Sequence, residues 1–315
     1  MNPIWDGRKV TVTGGAGFLG SFLVEALQKE CADVFVPRSS SYDLRTVEGA
    51  HQMYLDSEPD VLFHLAATVG GIGANRSNPG LFFYENMAMG MNVIEQARNY
   101  KNLSRLVLVG TTCSYPHITP VPFQESELWN GYPEPTNAPY GVAKRALMTM
   151  ASAYHDQYGL DTISVLPANL YGPRDNFDLE TSHVIPALVR KFIESKQAKS
   201  STVSLWGTGS ASREFLYVED AATALKLAGG SPPVDEPVNL GTNQEISIRE
   251  LANLIKEATG FSGTIEWDSS QPDGQPRRRL DITKAKDLFG FSAKTHLENG
   301  IESTVKWFLQ HRSEL

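Results

Sequence analysis

The sequence has few cysteines, no long apolar run and no excess of positive charge. Only Cys31 and Cys113 are present among 315 residues, which is too few for a disulfide framework or a cysteine-ligated zinc site. The formal net charge of −8 argues against nucleic acid or an anionic membrane as a partner. No apolar stretch approaches the roughly 18 residues that a membrane-spanning helix needs, and residues 1–10 are polar and of mixed charge. We therefore expect a cytoplasmic protein with no membrane anchor and no metal.

The chain opens with a predicted strand, a glycine-rich turn and a predicted helix. Residues 9–13 form the strand, residues 14–20 the turn, and the helical pattern runs from Ser21 to about Lys29. Glycines allow a tight turn and close backbone approach to a pyrophosphate, and the helix N-terminus offers free amides. Such a turn alone is a weak signal, but strand and helix flank it correctly. The sequence therefore predicts a dinucleotide site here.

The second predicted strand, residues 33–36, ends without an acidic residue and continues into Pro37-Arg38-Ser39-Ser40. An acid at this point would bind a free ribose 2′-hydroxyl, whereas arginine and hydroxyl groups suit a 2′-phosphate. We therefore predict NADP(H) as the cofactor. The alternative is that Arg38 is a solvated surface residue, because the end of the strand is fixed only to within a few positions.

The region between Gly110 and Lys144 carries the candidate chemistry. The apolar run at residues 106–109 predicts a buried strand, which places the hydroxyl groups and the Cys113 thiol after it at the edge where open α/β sheets bind ligands. Tyr140 and Lys144 have i, i+4 spacing at the start of a helical pattern, so they share one face. A neighbouring ammonium makes a phenolate easier to form. We interpret Tyr140 as a tunable proton donor.

Strand and helix patterns alternate along the first half of the chain. Apolar runs at residues 60–67 and 162–166 predict two further buried strands, and the loop at residues 69–75 is again rich in glycine. We expect that loop to lie against cofactor or substrate, and we interpret His64 as a hydrogen-bonded core residue. No internal repeat interrupts the pattern, which predicts an α/β fold with a Rossmann-type doubly wound parallel sheet.

The second half of the chain has more proline, glycine and isolated arginine, and its elements are shorter. We expect an NADP-binding domain over residues 1–168, with a return to it at about 218–245 because residues 238–241 look like a strand of the same sheet. A smaller, interwoven α/β substrate domain is expected over residues 169–217 and 246–315.

Two further patterns point to binding partners. The helical patterns at residues 81–100 and 140–158 carry apolar residues beyond one face, so they could pair across a two-fold axis, and we expect a homodimer. Four basic residues in this acidic chain could form an anion site for a diphosphate substrate. The alternative for each residue taken singly is an ordinary surface charge. They are Lys191, Arg213, Arg277 and Arg278.

Eight segments together resemble the extended short-chain dehydrogenase/reductases, and they span nearly the whole chain. They are TGGAGFLG, HLAATVGGIGAN, GTTCSYP, PTNAPYGVAK, NLYGPRDNF, SHVIPAL, REFLYVED and PDGQPRRRLD. The cysteine of the third segment combined with SHVIPAL is the more selective signal. It resembles the members of the family that convert GDP-4-keto-6-deoxy-D-mannose to GDP-L-fucose by 3,5-epimerisation and NADPH-dependent 4-reduction. The resemblance implies a GDP-sugar as substrate.

The resemblance also implies roles for individual residues. Tyr140 would give a proton to the C4 oxygen, Lys144 would bind the nicotinamide ribose and lower the Tyr140 pKa, and Thr111 would hydrogen-bond the same oxygen. Cys113 would be the base and His183 the acid of epimerisation. The implied cofactor contacts are Gly14, Gly15, Ala16, Gly17, Phe18, Leu19, Gly20, Arg38, Ser39, Ser40, Gly110, Thr112, Lys144, Pro167, Ala168, Asn169, Leu170 and His183. The implied substrate contacts are Asn169, Lys191, Trp206, Arg213, Asp273 and Arg278.

Two departures from the family pattern and four alternatives stand beside this interpretation. Thr111 replaces the more common serine and keeps the hydroxyl, whereas Ser40 replaces a second arginine found in some members, which weakens the NADP prediction. Cys113 could instead be a small buried residue, and His183 a helix-start residue. The chain could act on another nucleotide-linked 4-ketosugar. It could also be a non-catalytic NADP(H) sensor, although such proteins tend to lose the tyrosine and lysine that this chain keeps.

Overall fold

The computed structural model describes residues 4–234, 236–270 and 274–313. Its strands are β1 (Lys9–Thr13), β2 (Asp33–Phe35), β3 (Val61–His64), β4 (Arg105–Val109), β5 (Thr162–Pro167), β6 (Asn169–Tyr171), β7 (Thr202–Trp206), β8 (Ser212–Arg213), β9 (Phe215–Tyr217), β10 (Val238–Leu240), β11 (Ile246–Ser247), β12 (Thr264–Asp268) and β13 (Arg277–Arg278). Its α-helices are α1 (Phe18–Gln28), α2 (Val47–Ser57), α3 (Ile72–Ser77), α4 (Pro79–Asn99), α5 (Ala138–Tyr158), α6 (Val184–Gln197), α7 (Val218–Gly230), α8 (Ile248–Thr259), α9 (Thr283–Phe289) and α10 (Leu297–His311).

A six-stranded parallel sheet forms the centre of the described chain. Its strand order is β10-β5-β4-β3-β1-β2, which confirms the predicted Rossmann-type sheet. Helices cover both faces, with α1 and α7 on one side and α2, α4 and α5 on the other. The inner strands are therefore buried on both faces, which explains their continuous apolar runs. The strand order reverses at β1, between β3 and β2, and the crevice at such a point is where open α/β sheets bind ligands.

One element differs from its predicted position, and one predicted strand rejoins the main sheet as expected. Helix α1 begins at Phe18, three residues before the predicted start, because Gly17 already has the extended conformation of an N-cap. Phe22, Leu23 and Leu27 then form its buried stripe. Strand β10 pairs in parallel with β5 at the edge of the main sheet, although roughly 70 residues separate them. Within the described residues, no helix is long and apolar enough to cross a membrane.

A second hydrophobic core lies beyond the carboxyl ends of the main strands. Helices α6, α8 and α10 pack there around side chains such as Phe192, Leu251 and Phe308. A small sheet of order β11-β8-β13 belongs to the same half, and it pairs Arg278 with Arg213 in register. This pairing places two arginines side by side facing the region above the main sheet.

Candidate active site

A cavity of about 1720 Å³ lies between the carboxyl ends of the main strands and the second core. Pockets for one small ligand usually enclose roughly 300–1,000 Å³, so this cleft has room for a dinucleotide and a second ligand. Most predicted site residues line it: Gly14, Ala16, Gly17, Phe18, Leu19, Gly20, Arg38, Ser39, Ser40, Gly110, Thr111, Thr112, Cys113, Tyr140, Lys144, Pro167, Ala168, Asn169, Leu170, His183, Lys191, Trp206, Arg213 and Arg278.

Gly15 is a predicted contact that is not part of this lining, and Arg277 of the predicted anion site is not part of it either but forms an ion pair with Glu245 at 2.6 Å. Gly15 lies beneath the turn, where an added Cβ would come within 2.8 Å of the Val12 oxygen and 2.9 Å of Val36. Its role in the structure is therefore close packing of the turn against β1 and the segment after β2. Asp273 lies outside the described residues.

The glycine-rich turn has the shape that a dinucleotide pyrophosphate requires. Gly14 has a φ of +70°, and a Cβ on Gly20 would lie 2.1 Å from the Gly14 oxygen, so α1 packs directly on the turn. No side chain caps the N-terminus of α1, which leaves its first amides free for an anion. Arg38 is exposed at the cleft, and none of the described residues forms a hydrogen bond or ion pair with its guanidinium. These residues fit a nicotinamide dinucleotide.

Tyr140 and Lys144 lie together in the buried first turns of α5. Lys144 Nζ donates a hydrogen bond to the Val109 carbonyl at 3.1 Å and lies 5.9 Å from the centre of the Tyr140 ring. Burial lowers the pKa of Lys144 to about 8. Burial also raises the pKa of Tyr140 above its ordinary value, and Cys113 adds to the increase. The expected lowering by Lys144 is therefore not found in this structure, because desolvation of the phenolate outweighs the ammonium and the phenol keeps its proton.

Thr111 and Cys113 follow β4 and face the same part of the cleft. The Thr111 Oγ1 accepts a hydrogen bond from the Cys113 amide at 3.2 Å and begins a short 3-10 turn. A Cβ on Gly141 would lie 2.3 Å from the Cys113 carbonyl oxygen, so glycine here lets α5 approach this turn. Cys113 and Tyr140 line the same cavity, and Cys113 is close enough to raise the pKa of the Tyr140 phenol.

Basic residues of the second half line the opposite wall. Arg278 Nη1 donates to Cys113 Sγ at 3.7 Å, and Gln275 Oε1 accepts from Arg278 Nη2 at 2.8 Å and thereby fixes the guanidinium. Lys191 on α6 is partly buried, which lowers its pKa. Trp206 ends β7 with 72% of its surface exposed, as a flat apolar face at the mouth of the cleft.

His183 and His64 have different environments. His183 is the extended residue before α6 and opens onto the cleft, where water reaches it, while the surrounding protein lowers its pKa. His64 is 2% exposed and shares a hydrogen bond of 2.9 Å with Thr13 Oγ1, and burial lowers its pKa to about 3. The prediction of His64 as a hydrogen-bonded core residue is confirmed.

Three acidic or amide residues at the site were missed by the sequence interpretation. The buried Glu214 carboxylate accepts from the backbone amides of Thr242 at 2.5 Å and Leu280 at 2.6 Å, which joins three distant segments beside Arg213. Gln275 fixes Arg278, and Asp175 is a buried carboxyl group whose pKa burial raises to about 7. Glu214 precedes the buried Phe215, and Asp175 lies two residues before the buried Phe177, but only the folded contacts distinguish these two carboxyl groups from surface acids.

The fold and the cleft define a class of protein. A phosphate-binding turn at the switch point of a parallel sheet, beside a buried tyrosine and lysine, is the arrangement of a dinucleotide-dependent α/β oxidoreductase.

Comparison with known proteins gives the particular family. The model of the NAD dependent epimerase/dehydratase family matches residues 10–241, and the chain belongs to that family. The probable GDP-L-fucose synthase 1 of Oryza sativa subsp. japonica is 40% identical over 97% of this chain and 93% of its own. A GDP-L-fucose synthetase from Naegleria fowleri bound to NADP has a TM-score of 0.89 and 30% identity, covering 96% of this chain and 93% of that chain. A GDP-6-OMe-4-keto-L-xylo-heptose reductase from C. jejuni has a TM-score of 0.90 and 27% identity, covering 97% and 98%.

Proposed function

We propose that the chain converts GDP-4-keto-6-deoxy-D-mannose to GDP-L-fucose, as a 3,5-epimerase and NADPH-dependent 4-reductase. The observation that carries the proposal is that Cys113 lies close enough to Tyr140 to raise the pKa of its phenol, in a cleft that also contains His183. A reductase alone needs the phenol and has no use for a thiol base at that position. The names of the relatives support the same substrate.

Epimerisation uses the acidity of the carbons beside a ketone. The 4-keto group acidifies the hydrogens on C3 and C5, so a Cys113 thiolate removes one while Thr111 and Tyr140 hydrogen-bond the enolate oxygen. Protonated His183 then gives a proton to the opposite face of the carbon and inverts it. Burial lowers the pKa of His183, which makes its protonated form a stronger acid. Cys113 loses its proton to solvent and His183 regains one before the second inversion.

Reduction uses the same pocket. When bound, NADPH would supply the hydride for C4, and Tyr140 would give the C4 oxygen its proton. The residues that hold the cofactor are the glycine-rich turn for the pyrophosphate, Arg38 with Ser39 for the 2′-phosphate, and Lys144 for the nicotinamide ribose. Because the phenol of Tyr140 stays protonated, it can donate at neutral pH.

The basic wall supports a nucleotide-linked sugar. Arg213, Arg278 and Lys191 line one side of the cleft and suit a diphosphate, while the exposed face of Trp206 suits a nucleobase. Arg278 also touches Cys113, so the diphosphate and the thiol share one neighbour. A diphosphate bound by Arg278 would therefore bring the attached sugar close to Cys113.

We further infer a cytoplasmic homodimer in which a Rossmann domain over residues 1–168, with its return at 218–245, carries the cofactor. Residues 169–217 and 246–315 form the substrate domain in this proposal. Both cysteines are free thiols, which fits a reducing compartment. Exposed apolar side chains on α4 support a dimer interface there: Leu81, Phe83, Tyr84 and Met91.

The test is direct. Purified protein is incubated with NADPH and GDP-4-keto-6-deoxy-D-mannose, and both the NADPH absorbance and the product are followed. Oxidation of NADPH with formation of GDP-L-fucose supports the proposal. A protein that binds NADPH but never oxidises it is a sensor. A protein that is inactive with this substrate but reduces a GDP-linked 4-ketoheptose acts like the C. jejuni relative, and the proposal is then wrong.

A further inference from the structure

The second glycine-rich loop, between β3 and α4, reaches across the cleft and contacts the segment that carries His183. Gly71 N donates a hydrogen bond to the Thr181 carbonyl at 2.9 Å. A Cβ on Gly71 would lie 2.7 Å from the Ser182 oxygen, so the two backbones are in direct contact. None of the roles assigned above uses this loop.

Asn75 fixes the shape of the loop. Its side chain is 6% exposed, and Nδ2 donates to the Gly70 carbonyl at 2.8 Å and to the Gly71 carbonyl at 3.1 Å. A single amide therefore holds both glycine peptides, and through them it sets where the Gly71 N–H points. No other residue type of this size offers two donors on one nitrogen.

The segment before His183 is held equally firmly from its other side. Asp178 Oδ1 accepts from the Thr181 amide at 3.0 Å and from Thr181 Oγ1 at 2.9 Å, and the Asp178 carbonyl accepts from the Ser182 amide at 2.9 Å. Within the described chain, the His183 imidazole itself has no hydrogen-bond partner. The position of the ring is therefore set by the backbone that leads to it.

We propose that Asn75 and Gly71 are positioning residues for the epimerisation step, which they serve by holding the backbone that places His183. The inference rests on the proposed function, in which His183 returns the proton to C3 and C5. Tyr140 and Lys144 lie on α5, and Thr111 lies two residues after the end of β4; the contacts described for this loop involve neither segment. Loss of the contact between Gly71 and the segment before His183 should therefore slow proton return in epimerisation and leave hydride transfer in the reduction intact.

The test measures both half-reactions in Asn75→Asp. Aspartate keeps the size of asparagine but has no N–H to give, so its oxygens face two carbonyls without a donor. Without NADPH in deuterated water, deuterium entry into C3 and C5 should fall about 10- to 100-fold, the effect of misplacing a catalytic group by about 1 Å. With NADPH, cofactor oxidation should continue, and the product should shift from GDP-L-fucose toward the unepimerised 6-deoxy-D-manno compound.

Asn78→Asp is the matched control. Asn78 lies three residues further on, and its Nδ2 donates only to the Ala74 carbonyl of its own short helix, so this variant should exchange deuterium normally. In a second variant, Gly71→Ala, the added methyl group would collide with the Ser182 carbonyl oxygen. It should likewise slow deuterium exchange while NADPH oxidation continues. His183→Asn defines the level of exchange when the acid is absent.

The outcomes separate the two proposals. If Asn75→Asp exchanges deuterium like the unmutated protein, the positioning role is wrong and the proposed function stands. If exchange and reduction fall together in Asn75→Asp and Gly71→Ala, the loop has only a general structural role and the inference is also wrong. If the unmutated protein exchanges no more deuterium than His183→Asn, the proposed function fails, and the inference fails with it.

Discussion

Tyr140 shows how burial, more than spacing along a helix, sets the protonation of a catalytic side chain. The i, i+4 lysine is in place, but its ammonium donates to the Val109 carbonyl, and the desolvated phenol has a raised pKa. The result suits an acid that must hold its proton until the C4 oxygen becomes negative. Spacing predicts which side chains meet, and burial decides which form each one takes.

Replacing Tyr140 by phenylalanine removes one oxygen and leaves the ring packed. Tyr140→Phe should therefore fold and bind NADPH, while its rate of ketone reduction falls by roughly two to four powers of ten, the usual contribution of a positioned acid. Single-turnover NADPH oxidation is the measurement, and the melting temperature is the control. Near-normal reduction by Tyr140→Phe would contradict its role as the proton donor.

Cys113→Ser keeps the size of the side chain and removes the basicity of a thiol. We expect this variant to incorporate no deuterium at C3 or C5, yet to oxidise NADPH slowly and to form a 6-deoxy-D-manno product. Mass spectrometry of the ketosugar and identification of the product check both parts. Normal exchange in Cys113→Ser would make the thiol a packing residue and remove the main support for epimerisation.

Arg38 is the residue on which the choice of cofactor depends. A charge-assisted contact to a 2′-phosphate contributes on the order of 1.5–3 kcal/mol, so Arg38→Ala should reduce the preference for NADPH over NADH by about tenfold or more. The ratio of kcat/KM for the two cofactors is the measurement. Equal efficiency with both cofactors in the unmutated protein would show that the prediction is wrong.

Sequence spacing could identify the tyrosine, the lysine, the thiol and the phosphate turn, because each lies within a short local pattern. It could not identify the contact between Cys113 and Arg278, which are separated by 165 positions. The hydrogen bonds that the Glu214 carboxylate accepts are similarly long-range, since its partners Thr242 and Leu280 lie on other segments. Contacts of this kind are fixed by packing of separate segments, which no local pattern contains.

Among the structural elements, the glycine-rich turn and helix α1 were both predicted, but the helix starts three residues earlier than predicted. The sequence interpretation treated all glycines up to Gly20 as turn, whereas the helix already includes Gly20 because Gly17 is the N-cap. The actual requirement at Gly20 is contact with the Gly14 carbonyl. That contact depends on the angle at which α1 leaves the sheet, so it is visible only in the folded chain.

A substitution at Gly20 tests this contact. The added methyl of Gly20→Ala would lie 2.1 Å from the Gly14 oxygen, so the start of α1 must move and the amides that face the phosphates move with it. NADPH affinity should fall by about tenfold or more, as expected when a preorganised anion site shifts. Gly80→Ala is the control, since nothing lies within 4 Å of its Cβ and α4 should tolerate it. Unchanged NADPH binding in Gly20→Ala would count against this account of the turn.

At the scale of the whole molecule, helix α4 carries exposed apolar side chains on the outer surface: Leu81, Phe83, Tyr84 and Met91. Gly90 allows α4 to pack against Leu147 of α5, and pairing of these two long helices across a two-fold axis stays a prediction. The sequence predicted the length of both helices. It could not show which of their residues stay exposed.

A charged substitution among these exposed apolar side chains of α4 tests the proposed dimer. Leu81→Lys should shift the protein from dimer to monomer in sedimentation, because a buried ammonium without a partner strongly disfavours an interface. Leu309→Lys on α10 is the control, since Leu309 and Leu81 are both 48% exposed in the single chain. A dimer that tolerates Leu81→Lys, or a monomeric unmutated protein, would refute the assignment.

The pairing of β10 with β5 has a consequence for synthesis on the ribosome. Translation adds about 5–20 residues per second, so β10 emerges roughly 4–15 s after β5. During that interval β5 has β4 on one side and no partner on the other, and an unpaired apolar strand readily captures other chains. The nascent polypeptide therefore completes its central layer only when three quarters of its length has been made, and chaperone occupancy during translation should be concentrated in that window.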